Sequence, residues 1–148
     1  MRVQPGIGHL RSWRRSRIVL TGLQEASERF GVRIVHFAIL GNHLHLIVEA
    51  GSAEDLSRAM QGLGIRLAKR LNALQRRHGG VFADRYHAHV LGSRRATAHA
   101  VRYVLSNYRR HTREHLPPRW IDPLSSARTP LAAPRTWLLR FAVEGPGG

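Results

Sequence analysis

The chain contains no cysteine. That excludes a disulfide framework and any thiolate metal site, and it suits a reducing compartment. Acidic residues are scarce: 9 Asp and Glu stand against 24 Lys and Arg over 148 residues, a formal net charge of +15. Lysine is almost missing as well, Lys69 being the only one, so the positive charge is nearly all arginine. Arginine's planar fork matches phosphate oxygens. No apolar run approaches the roughly 20 residues of a membrane helix, and the N-terminus lacks a signal-peptide apolar core. No membrane role is expected.

Hydrophobic residues make up 43% of the chain, enough for a globular protein with one core. A field this positive favours polyanions, with nucleic acid the default partner. An anionic membrane surface is the weaker option, because no helix combines a basic face with exposed bulky anchors. There is no internal repeat.

Taken in order, Met1 to Gln4 reads as the tail of a strand and Pro5 to Gly8 as a turn. Ser12 to Phe30 reads as a helix, with Val19, Leu23, Ala26 and Phe30 on its apolar face and Gly31 as its stop. Arg33 to Leu40 is β-branched and aromatic, a second strand. Gly41-Asn42 signals a tight turn into a third, antiparallel strand running to Ala50. Ser52 with Asp55 forms a capping signal for a helix to about Gln75. Leu56, Met60, Leu63, Leu67, Leu71 and Leu74 make its core stripe, and a kink is expected at Gly62 and Gly64. The opposite face carries Arg58, Arg66, Lys69, Arg70, Arg76 and Arg77, a candidate phosphate track.

His78-Gly79-Gly80 breaks the chain, and Val81 to Leu91 reads as a fourth strand. Ser93 caps a third helix to about His111. From residue 117 to 148 prolines and serines predict an irregular tail, in which Trp137 to Val143 could dock as a short apolar element and the final Gly-Pro-Gly-Gly is disordered. The order βαββαβ is ferredoxin-like: an α+β fold with one antiparallel sheet, helices on one face, and an added C-terminal helix. The expected division is a domain over residues 1–116 followed by the tail, 117–148.

The third strand carries the chemistry. His43 and His45 are two apart, so strand geometry points both imidazoles to one face while Leu44, Leu46 and Val48 point to the core. Neutral imidazoles so placed can share a metal ion, though two histidines can equally line a solvated face. A second pair, His87 and His89, sits in a more polar run with no companion ligands and is read as solvated. On the third helix Val101, Val104, Leu105 and Tyr108 share a core face. Tyr103 lies nearly opposite, on a stripe with His99, Asn107 and Arg110.

Two histidines, Tyr103 with Asn107 one turn later, and the positive charge make a coherent nuclease. Tyrosine, with a free pKa of about 10, can attack a phosphodiester if a divalent cation polarises the phosphate. His43, His45 and the Asn107 side-chain oxygen would supply three ligands, a mixed set suited to Mg²⁺ or Mn²⁺.

The stretches RIVHFAILGNHLHLIVE, VFADRYHAHVL and VRYVLSNYRRH resemble, in order, the blocks of the histidine–hydrophobic–histidine single-tyrosine transposases, especially those associated with REP sequences. The likeness covers roughly residues 1 to 125. It implies His43 and His45 as metal ligands, Tyr103 as nucleophile and Asn107 as the polar third ligand. It further implies a bacterial cytoplasmic, nucleoid-associated enzyme acting as monomer or homodimer on single-stranded DNA, often hairpin-containing. Such an enzyme leaves a 5′-phosphotyrosine and a 3′-hydroxyl. Arg110 joins the basic face of the second helix as an expected DNA contact. Two departures from the family pattern are the short first strand, which predicts that Met1 is not the natural start or that the copy has decayed, and the proline-rich tail. A non-catalytic nucleic-acid-binding remnant and a histidine phosphoesterase are the competing readings.

Overall fold

A computed structural model describes residues 1–29 and 31–144. Phe30, assigned above to the first helix's apolar stripe, and the expected disordered end, 145–148, lie outside the described residues. Helix α1 spans Trp13–Ala26, strand β1 Val32–Ile39, strand β2 Leu44–Ala50, helix α2 Ala53–Gln75, helix α3 Arg94–His111 and helix α4 Trp137–Glu144. A single 3-10 turn, Pro5–Ile7, precedes them.

The capping signals act as expected. Ser52 Oγ accepts the Asp55 N–H at 3.0 Å at the start of α2, and Ser93 Oγ accepts the Ala96 N–H at 3.1 Å at the start of α3. The α2 helix runs without interruption through Gly62 and Gly64, where the sequence predicted a kink. Its stripe is buried at Met60, Leu63, Leu67 and Leu71, and half-buried at Leu56 and Leu74. Gly22 is where α1 meets α2. A Cβ there would lie 2.6 Å from Leu67 Cδ2, so a larger residue would force the Leu67 side chain to move.

β1 and β2 pair antiparallel, from Val32 opposite Ala50 to Ile39 opposite Leu44, with a bulge between Ile34 and His36. This two-stranded hairpin is the whole of the regular sheet among the described residues. The full βαββαβ sheet expected from the sequence is not formed. Met1–Gln4 contributes only bridges, Arg2 to His43 and Val3 to Phe82, yet its backbone is bonded on both sides. Val3 N–H donates to Asn42 O at 2.9 Å, and Gln4 N–H donates to Val81 O at 2.8 Å. Pro5, with no N–H, follows immediately. The expected strand over Val81 to Leu91 is likewise reduced to the bridge at Phe82. Beyond it Asp84, Arg85, His87 and His89 are exposed, and no alternating apolar face holds the segment flat.

Helices cover both faces of the hairpin. Val19 and Leu23 of α1 and Met60, Leu63 and Leu67 of α2 pack on Ile34, Phe37, Ile39 and Leu44. Val101 and Val104 of α3 and Leu139 of α4 pack on Val35, Ala38 and Ile47. The added helix therefore sits across the sheet from α1 and α2.

The proline-rich segment after Pro117 does structural work along the free edge of β1. Ile39 N–H donates to Leu124 O at 2.9 Å, Ser126 N–H to Phe37 O at 3.0 Å and Ala132 N–H to Ile34 O at 3.3 Å. An edge that would otherwise expose unpaired backbone groups is thereby covered. Farther along, the Glu49 carboxylate accepts the backbone N–H groups of Arg135 and Thr136 and the Thr136 hydroxyl, at 2.7–3.0 Å. Burial alone would raise the Glu49 pKa, but these bonds and the Arg33 charge outweigh it and hold the carboxyl below its usual range.

Candidate functional site

The turn into β2 fixes the first histidine. Leu40 N–H donates to His43 O at 2.9 Å, closing a turn over Gly41-Asn42. Gly41 has no positive φ; what it provides is space. The His9 ring lies against it, with Nε2 2.9 Å from where a Cβ would stand. Asn42 Oδ1 pairs with His43 Nδ1 at 2.7 Å. An acceptor there keeps the proton on Nδ1 and leaves Nε2 with its lone pair outward.

Strand alternation does the rest. Leu44 is buried in the core under α2, while His43 and His45 bring their Nε2 atoms to 3.1 Å. Two nitrogens each about 2.1 Å from one ion lie roughly 3.0–3.4 Å apart, so the spacing suits a shared cation as well as a direct hydrogen bond. Burial, then the neighbouring His45 and the N-terminal ammonium, lower the His43 pKa to about 4. Burial, then the ammonium and His111, lower that of His45. Both imidazoles are therefore neutral at physiological pH, the form that ligates metals.

Helix α3 crosses this face. The Tyr103 ring meets the His45 ring edge-on, centroids 5.6 Å apart, and remains 36% exposed. Asn107, one turn later, is only 1% exposed, and neither its Nδ2 nor its Oδ1 has a hydrogen-bond partner. Sequence reasoning gave Asn107 to a wet polar stripe; the sheet buries it. An orphaned buried amide costs roughly 1–3 kcal/mol unless a water, an ion or a ligand meets it. Among the described residues no group of three or more His, Cys, Asp or Glu that could hold a metal ion converges.

Tyr108 is half-buried and, rather than packing only on aliphatic core, lies under the Arg11 guanidinium at 3.6 Å and beside Trp120 at 5.6 Å. Arg110 reaches within 6.0 Å of the Tyr103 ring centroid and bonds Ser106 Oγ at 3.0 Å. The basic face of α2 is only partly open. Arg66 and Arg70 pair with Glu25 of α1 at 3.5 and 2.8 Å, and Arg77 bonds Asn72 and Gly80, leaving Arg58, Lys69 and Arg76 exposed.

Two clefts flank His43. One, about 490 Å³, is lined by His43, His45, Leu56, Met60 and the irregular 84–89 segment, including His87 and His89. The other, about 480 Å³, lies between the 41–43 turn and the end of α3. Sequence reasoning set His87 and His89 apart from the site; the fold brings them to the same cleft as His43 and His45. It gave no role to His9 or His111. The only available signal was His111's spacing, two turns from Tyr103 through Asn107.

A mixed α+β scaffold carrying a paired-histidine strand faced by a tyrosine helix defines the class of site. The family described as "Transposase IS200 like" matches residues 11–107, and the chain belongs to it. Its members are DNA transposases, which places this chain in a catalytic family acting on DNA. No curated protein and no solved structure matches the chain. No helix is long and apolar enough to cross a membrane among the described residues.

Proposed function

We propose that the chain is a metal-dependent, single-tyrosine enzyme that nicks and rejoins single-stranded DNA, with REP-associated, hairpin-containing strands as its substrate class. The carrying observation is the orphaned, buried amide of Asn107, one helical turn from Tyr103, whose ring abuts the His43–His45 pair. His43 Nε2, His45 Nε2 and Asn107 Oδ1 are the atoms that would hold the cation. When bound, Mg²⁺ or Mn²⁺ supplies polarisation of the scissile phosphate.

The residues supply the rest. Asn42 orients His43, and the exposed edge of Tyr103 lets its phenolic proton leave to water. The Tyr103 oxygen then attacks phosphorus: its bond to phosphorus forms as the bond to O3′ breaks, and O3′ takes up a proton. The product is a 5′-phosphotyrosine and a free 3′-hydroxyl, and attack by another 3′-hydroxyl reverses the step without external energy. Arg110 beside the tyrosine and the exposed Arg58, Lys69 and Arg76 hold the backbone, with Arg66, Arg70 and Arg77 joining if their present partners are exchanged for phosphates.

The test is a denaturing gel of the protein incubated with end-labelled single strands and Mn²⁺. A covalent adduct is expected, mapped by mass spectrometry to Tyr103 and lost in Tyr103→Phe. An adduct at Tyr86 or Tyr108 would refute the assignment. Strand binding without any adduct would instead support a non-catalytic DNA-binding protein, and phosphate release from small nucleotides a phosphoesterase.

A further inference from the structure

The second cleft shares only His43 with the lining of the first. His9, Asn42, Tyr108, His111 and Glu114 line it, within a volume of about 480 Å³. That is within the ~300–1,000 Å³ usual for small-ligand sites. Its charges do not suit a phosphate: Arg113 and Glu114, both in its wall, offset each other. What it offers is flat rings and directed hydrogen-bonding groups. His9 is seated on Gly41 and leaves its other face to the cleft wall, while Arg11 over the Tyr108 ring and Trp120 beside it hold that ring in place.

The polar groups are equally defined. Asn42 Oδ1 is engaged by His43 Nδ1, which leaves the Asn42 NH₂ as a donor. The Glu114 backbone N–H is tied to Thr112 Oγ1 at 3.2 Å, and its carboxylate forms no ion pair among the described residues. A carboxylate acceptor and an amide donor complement an exocyclic amine beside a ring nitrogen. Cytosine and adenine present that edge; thymine sets a carbonyl oxygen against the carboxylate.

We propose that this cleft is a base-reading pocket for the nucleotide next to the scissile phosphate, accepting cytosine or adenine and rejecting thymine through Glu114. The idea rests on the single-strand reading above and adds a specificity determinant to it. Single-stranded bases are commonly read by stacking combined with hydrogen bonds to their edges.

The test measures fluorescence anisotropy of labelled oligo(dC), oligo(dA) and oligo(dT) of about ten nucleotides with the intact protein. The wild type should bind dC or dA at least ~5-fold more tightly than dT, the lower range for one base contact. Glu114→Ala, which removes the acceptor altogether, should bring that ratio to within about twofold. Removing a negative charge tightens all three strands alike, so the ratio, unlike the affinities, reports base reading. Glu114 is exposed beyond the end of α3, and circular dichroism verifies that the variant is folded. No wild-type preference, a preference for dT, or an unchanged ratio in Glu114→Ala would overturn the pocket. Adduct assays on the same strands separate the two ideas. A Glu114-dependent ratio without an adduct sinks nicking and keeps the pocket, whereas an adduct with an unaltered ratio does the reverse.

Discussion

The guanidinium of Arg11 meets the carboxylate of Asp122 through two hydrogen bonds, Nη1 to Oδ2 at 3.0 Å and Nη2 to Oδ1 at 2.9 Å. The same group donates to Ile39 O at 2.7 Å and lies 3.6 Å over the Tyr108 ring. One side chain thus ties the entry to α1, the end of β1, the C-terminal segment and the tyrosine helix. Both partners are nearly buried, at 10% and 3% exposure, so removing one leaves an uncompensated charge. Asp122→Ala should cost about 3–5 kcal/mol in denaturant unfolding. A loss below about 1 kcal/mol would mean that the tail does not hold α3 in place.

Asn107 presents the opposite balance. Replacing it with leucine removes two orphaned polar atoms from a buried position, so Asn107→Leu should raise the stability of the metal-free protein by about 1–3 kcal/mol. Mn²⁺ should raise the melting temperature of the wild type, and the same change should abolish that rise. If Asn107→Leu destabilises the metal-free protein, or keeps the Mn²⁺ effect, the amide is not held in reserve for a cation.

Acid should weaken the fold through its histidines. Burial lowers the His36 pKa, and burial with neighbouring charge lowers those of His43 and His45, His43 to about 4. Unfolded, each would titrate near the usual histidine value of about 6.5. Below that value the unfolded state binds more protons, so stability is complete above about pH 6.5 and is lost progressively toward pH 4. Melting temperature should therefore fall between pH 7 and 5, and fall less in His43→Gln. That window lies above the titration of Glu49. A flat or rising profile would contradict the burial of these rings.

Binding of single strands should depend on salt. With about four phosphate contacts the slope of log K against log salt is expected near −3. The Glu25→Gln variant, which frees Arg66 and Arg70 from their partner, should steepen it. A slope near zero would rule out an electrostatic track on α2.

The sequence alone determined the first three helices, the hairpin and the placing of His43 beside His45, because each depends on neighbours in the chain, whereas α4 lies in a segment read as irregular. Period-two alternation sets the face of a strand side chain, and Ser52 and Ser93 cap their helices through bonds spanning three residues. Likewise the Tyr103–Asn107 stripe follows from helical periodicity. Partners distant in the chain were not legible. Which face of the hairpin α3 covers, and hence the burial of Asn107, depends on packing of Val101 and Val104 against Ile47. The proline-rich segment looked irregular because the partners that seat it, Ile34, Phe37 and Ile39 on the edge of β1, lie far away in the chain. Conversely, Val81 to Leu91 looked like a strand because its residue types suit one. Only the tertiary structure decided that past Phe82 the segment packs on the core through Tyr86 without an alternating apolar face, so it stays outside the sheet.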